Sequence, residues 1–478
     1  MIQDLALFAL VGLAVAAPRP ATYIPAIETA PPRGSELGAA PTRVKENATG
    51  STTHGPYSGT PTTLGQKQAP TTPLERFDGP ATPNPTATYY NPDGELRAPA
   101  QLPFTPGGGV GANGTTVPRY MVGSDFDFES VSLGLHQEYI ELDLFNHGVA
   151  KFSEQDFLDA GLTAEDRSFI AFMATQEIDH ATLLTNMLGE AAPKQCIYDY
   201  PFTTVREFID FNVKVTRFGE SGTWGFLSHL DSREVATMIV QAEAIEARQQ
   251  MAFRQMLGLH PMPVPFVPSI PQSWHWTLLA PYISSCPANN TRIAWQNFPA
   301  LHISNHPNPN RVSPNDTTEN ELVGSRPADP SNSTLPSSSS SSSSSSCVHN
   351  ATLGYSCTPS ISNNRSEPLT FPGRQIFLEW DDAGQPVGPN NSYITTTSAS
   401  EPRFLAWVSQ LNITYTPLTV TGPRQGYSFQ PASEVFVGNL AVNETVFLAV
   451  TDLDLYLTPF NLTLMNPHVR ALGMLIAG

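Results

Sequence analysis

The chain has 478 residues, 40% of them apolar, 45 prolines and a formal charge of −18. That charge excludes nucleic acid and anionic membrane as electrostatic partners, since both recruit basic faces. The prolines and the Ser/Thr/Asn-rich stretches leave enough apolar residues for one solid domain and one smaller one.

Residues 5–17 form an apolar run that ends in Ala14-Val15-Ala16, a small-x-small pattern, although Met1 to Asp4 hold no Lys or Arg. Residues 1–17 therefore read as a secretory signal peptide. Eleven Asn-x-Ser/Thr sequons agree with export, and none lies between Asp125 and Leu259. The four cysteines, Cys196, Cys286, Cys347 and Cys357, allow three pairings. Closeness in sequence favours Cys347–Cys357, which leaves Cys196–Cys286 beside the helical stretch; an oxidising compartment permits both. No apolar segment beyond the N-terminal run is long enough to span a bilayer.

Residues 18–121 are rich in Pro, Thr, Gly and Ala without a sustained period, and read as a disordered arm. Four amphipathic helices follow. The first starts near Ser124-Asp125 and carries Val131, Leu135, Glu138, Leu142 and Phe145 on one stripe. The second, Thr163 to Leu188, carries Ile170, Met173, Glu177, His180, Leu184 and Met187. Thr203-Thr204 opens the third, and Gly219 and Gly222 around Glu220 predict a kink. Asp231-Ser232-Arg233-Glu234 resembles a capping box for the fourth, whose stripe includes Ile239, Ala242, Glu246, Gln249 and Phe253. Pro261, Pro263, Pro265, Pro268 and Pro271 then predict extended chain wrapping the helices to about residue 300. Trp274, Trp276 and Trp295 read as packing residues. Residues 301–368 read as a linker with a serine tract at 337–346, and 369–478 as a β-rich region with strands near 375–380, 433–437 and 445–450.

An ordinary core seam holds no Glu. A buried charge without a partner costs several kcal/mol, so Glu138, Glu177, Glu220 and Glu246 need neutralising. A metal pair inside a helix bundle is the simplest single answer, with Glu as a bridging oxygen ligand and His as a neutral nitrogen. Glu177-Ile178-Asp179-His180 places both ligand types on one helix face, a turn apart. Glu141 and Glu243 read as acids outside the ligand set or facing solvent. His136, His147 and His229 read as surface or loop histidines.

Across residues 122–300 the chain resembles the ferritin-like superfamily, and most closely fungal secreted ferritin-like proteins of stress response and late sexual development. Gln137 to Glu141, Gln176 to His180, Phe218 to Gly222 and Ile245 to Gln250 carry the resemblance, together with Ile270 to Trp274 and Cys286 to Asn290. It implies a mainly α fold: an antiparallel four-helix bundle, here with a β-rich C-terminal part. The family pattern is one Glu from each of two helices and Glu-x-x-His from each of the others. That makes Glu138, Glu177, His180, Glu220 and Glu246 the metal ligands, for iron or manganese. Gln249 departs from the pattern, standing where it has His.

Two readings follow. One is a di-metal oxidoreductase acting on dioxygen or peroxide. The other is a non-enzymatic extracellular or cell-wall scaffold whose core is a metal-free polar network. Gln249 separates them. Neither substrate, partner nor oligomeric state follows from the sequence.

Overall fold

The computed structural model describes residues 122–306, 370, 372–432, 434–436 and 444–477, plus short strands at 27–29, 43–45, 348–350 and 354–356. The expected signal peptide, Cys347, Cys357 and the serine tract lie outside the described residues. Two of the short strands, Ile27–Thr29 and Arg43–Lys45, pair with each other in the arm expected to lack regular structure.

Each long helix begins where a side chain can take its first free amides. Ser124 caps α1 (Asp125–Lys151) by accepting from the Asp127 amide. Thr163 and Asp166 form a reciprocal capping box on α3 (Ala164–Leu188), and Thr204 and Glu207 form another on α4 (Val205–Leu227). The cap of α5 (Arg233–Met256) is Ser232, one residue beyond the expected Asp231. Asp127 explains the shift: its carboxylate accepts the Asp231 and Ser232 amides at 2.8 and 2.9 Å and ties the starts of α1 and α5 together. A short α2 (Glu154–Asp159) precedes α3.

α1 lies against α3 and α4, and α4 lies against α5. The expected kink in α4 is absent: the helix runs unbroken through its glycines. Those glycines provide clearance instead. A Cβ at Gly219 would meet the Gln137 side chain at 2.4 Å, one at Gly222 the His275 ring at 2.2 Å, and one at Gly225 the Ile270 carbonyl at 1.8 Å. The stretch expected to be wholly extended contains α6 (Gln272–Leu279), which packs on this stripe and buries Trp274 and Trp276 completely. No described helix is long and apolar enough to cross a membrane.

The C-terminal region forms two four-stranded antiparallel sheets. One has the order Asn412–Pro417, Phe404–Ser409, Thr445–Thr451, Val469–Ile476; the other runs Thr419–Gly422, Gln425–Phe429, Gln375–Trp380, Leu301–Ile303. Leu301–Ile303 is a strand although composition assigns it to the linker. Glu434 to Phe436, expected as strand, is not. The central strands of the first sheet read as nearly continuous apolar runs because both their faces are covered. Leu405, Trp407, Val446, Leu448 and Val450 pack with Ile376, Leu378 and Trp380 of the second sheet. The alternating Ala406, Val408, Phe447 and Ala449 join the core of the helices. The molecule is thus layered helices, sheet, sheet.

Candidate metal centre

His180 is the hub. Its Nδ1 lies 3.0 Å from Glu246 Oε1, 3.2 Å from Glu177 Oε2 and 3.3 Å from Glu138 Oε2. Three helices meet there: α1 brings Glu138, α3 brings Glu177 and His180 one turn apart, and α5 brings Glu246. One ligand atom from each of the four residues lies within 4.8 Å of the others. All are buried, Glu177 completely. Gln249 stands beside them and donates its Nε2 to Glu177 Oε1 at 2.5 Å.

Glu220, expected to complete the set from α4, is turned to another partner. Arg217, three residues earlier on the same helix, donates Nη1 to Glu220 Oε2 at 2.6 Å, and its Nη2 pairs with Glu444, just before the interior strand Thr445–Thr451 of the first sheet. Glu141 and Glu243 do not face solvent: they are 1% and 2% exposed, and both interact electrostatically with Glu138 and Glu246 from outside the four-residue group. Glu141 is legible as a second acid one turn after Glu138. Glu444 had no signal, being 227 residues from Arg217. His136 and His229 are buried, not at the surface.

Burial raises the carboxyl pKa values of Glu138, Glu141, Glu177 and Glu243, because the ionised form loses water. Burial likewise lifts Glu220 and Glu246 to about 7. Burial pushes the His180 imidazole down, but the surrounding carboxylates, with Glu177 foremost, overturn that and hold it well above its ordinary value. Without a bound cation, then, the imidazolium of His180 is the positive charge these three acids share.

The donor set fits a metal ion. Gln249 Oε1 is a buried oxygen without a hydrogen-bond donor, and Glu141 Oε1, Glu243 Oε2 and Glu246 Oε2 are buried carboxyl oxygens turned from the His180 nitrogen. Acceptors of this kind are stabilised by a proton, a water or a cation, and several converging on one buried point suit a cation. Carboxylate oxygens and one imidazole suit iron, manganese or zinc better than a soft ion. A cavity of about 260 Å³ opens elsewhere, between Cys286 and residues 389–393, and no acid of the cluster lines it.

Helices that direct Glu and Glu-x-x-His into one buried point, packed on a β-rich layer, describe a ferritin-like protein. A family profile for the ferritin-like domain matches residues 126–259. The chain belongs to the ferritin-like family. It is similar to Protein rds1 of Schizosaccharomyces pombe, with 48% identity over 370 residues that cover 77% of this chain and 84% of that one.

Of the two expected disulfides, Cys196–Cys286 is present and closes a span of 90 residues. It fastens the segment after α6 to the loop after α3. Asn290 repeats the tie beside it, accepting from the Lys194 amide at 2.8 Å and donating to the Lys194 carbonyl at 2.6 Å.

Proposed function

We propose that this chain is a secreted ferritin-like protein whose α1, α3, α4 and α5 form an antiparallel four-helix bundle around a metal centre. Glu138, Glu177, His180 and Glu246 would hold iron or manganese there. The ion would supply redox chemistry toward dioxygen or peroxide, in keeping with the stress-response proteins the sequence resembles. The protein's own part is to orient the ligands, exclude water and bar larger substrates. A role in sexual development rests on that resemblance alone.

One observation carries the metal reading: an excess of buried acid. Glu138, Glu141, Glu177, Glu220, Glu243, Glu246 and Glu444 are all buried, and the cationic groups among them are His180, Arg217 and Arg254. The carboxylates outnumber the fixed cations Arg217 and Arg254, and His180 is neutral once its nitrogen is a ligand, so the excess falls to bound protons or to metal ions. Secretion is supported by the leader-like N-terminus, the Cys196–Cys286 bridge and the sequons. Two sequon asparagines, Asn289 and Asn390, are exposed and accessible to a glycan.

The scaffold reading has its own observation. Arg217 and Arg254 together already balance Glu220 and Glu444, and Gln249 already occupies Glu177 Oε1. Elemental analysis of the full chain, purified from culture medium without chelators and again after loading with iron(II) or manganese(II), decides between them. The metal reading expects at least one ion per chain, lost on Glu177→Ala. A wild type that stays metal-free after loading leaves the scaffold reading.

A further inference from the structure

The direction of the helices divides the buried acids into levels. α1 and α5 run the same way: Asp127 joins the start of α5, and Phe145 meets Phe253 far along both, with ring centroids 5.4 Å apart. One turn past Glu138 on α1 is Glu141, and one turn past Glu246 on α5 is Gln249. Those two turns lead in the same direction, so Glu141 and Gln249 share a level beyond His180. Glu177 reaches that level too, since its Oε1 takes the Gln249 amide while its Oε2 faces His180.

α4 brings no acid there. It runs opposite to α1, with Gly148 against Phe208 and Gln137 against Gly219. Glu220 therefore falls on the other side of Glu138 from Glu141, in the grip of Arg217. At its own level Glu141 faces the carboxyls of Glu246 and Glu177, and beside them the amide oxygen of Gln249, which is not an acid at all, is a buried acceptor without a donor. Gln249 is 2% exposed, and its Nε2 is spent on Glu177 and Gln176, leaving its oxygen free to ligate.

We propose that Glu141, with Gln249 Oε1 and the shared carboxylates of Glu177 and Glu246, forms a second, all-oxygen metal position one helical turn from His180. It rests on the metal reading above and replaces the family's acid on the third helix with a second acid on the first. The two positions then differ in kind. The one at His180 offers a nitrogen and suits iron or zinc; the one at Glu141 offers oxygen alone and suits a harder ion such as manganese or magnesium.

The full chain, stripped with a chelator and loaded with manganese(II), tests this by elemental analysis and electron paramagnetic resonance. Wild type should bind two ions with a spin-coupled spectrum. Glu141→Gln should bind one ion and give the six-line signal of an isolated manganese, and Gln249→Met should lose the same ion. Glu220→Gln should keep two. Circular dichroism checks that each variant is folded; if Glu141→Gln is not, Gln249→Met carries the test. Two ions retained in both Glu141→Gln and Gln249→Met, or one lost in Glu220→Gln, overturns the assignment while the metal reading stands. A wild type that takes up no manganese and no iron overturns both.

Discussion

Gln249 gives its amide nitrogen to Glu177 Oε1 at 2.5 Å. The residue that stands in place of the second Glu-x-x-His imidazole is therefore a hydrogen-bond donor to the carboxylate on which the centre turns. It holds Glu177 oriented and adds no charge. A histidine there offers a nitrogen ligand in place of an amide oxygen. Gln249→His should bind zinc or iron(II) on the order of 10-fold more tightly, the scale on which ligand surroundings tune metal sites. Competition against a chromophoric chelator measures it, and unchanged affinity counts against a metal within reach of residue 249.

Stability of the metal-free protein should fall as pH rises. Burial lifts the Glu220 and Glu246 carboxyls from an ordinary 4.5 to about 7, so the folded state holds their protons more tightly than the unfolded chain. That contribution is whole below 4.5 and lost by about 7. His180, raised well above 6.5 despite its burial, contributes in the same sense: fully at lower pH, and less as pH climbs through its folded value. The capping carboxylates Asp156 and Glu207, depressed by hydrogen bonds to Ser153 and to Thr203 and Thr204, work oppositely but only below about pH 5. The melting temperature of chelated protein should drop by about 5 °C or more between pH 5 and 7.5, and manganese should restore it. A midpoint that climbs over this range would contradict the buried acid cluster.

Arg217 joins α4 to the first sheet through Glu220 and Glu444. Arg217→Met strands Glu220 and leaves Glu444 only Arg254 at 3.9 Å, and loss of one partner from a buried ion pair costs roughly 3–5 kcal/mol. Adding Glu220→Gln and Glu444→Gln should recover most of the loss, since neutral amides need no counter-charge. Denaturant titration of the single and triple variants separates pairing from packing. A single variant within about 0.5 kcal/mol of wild type would remove the pair from any account of stability.

The Cys196–Cys286 bridge closes a 90-residue span. Replacing both cysteines with serine should destabilise the fold by about 3 kcal/mol, below the loop-entropy maximum because the Asn290–Lys194 hydrogen bonds remain. Thermal scans with and without reductant read it directly. Identical midpoints would mean that the unfolded chain is already constrained there.

Much of the helical layer was legible because its signals are local. Ser124, the Thr163–Asp166 box and Thr204 mark starts that need only three or four residues to recognise, and Glu177 and His180 announce themselves by standing on an apolar stripe. The strands at 375–380 and 445–451 were visible as apolar runs. What escaped depends on distant chain. The glycines of α4 look like a break until Gln137, His275 and Ile270 occupy the space they leave. α6 hides behind the proline run because its eight residues are too few to establish a period. Glu220 fits the family spacing, but an arginine one turn away and a glutamate in the sheet decide where its charge is spent.

That last contact also sets a timetable. Glu444 follows Arg217 by 227 residues, so at ordinary translation rates it reaches the folding compartment on the order of 10 to 50 s later. During that interval the Arg217 guanidinium has Glu220 but not its second carboxylate partner, and the sheet that buries Ala406, Val408, Phe447 and Ala449 against the helices has not been made. The helical layer must wait, partly uncovered, for the last tenth of the chain. Any truncation before residue 444 makes the wait permanent, because Arg217 then never meets Glu444 and the strand Thr445–Thr451 never covers the helices.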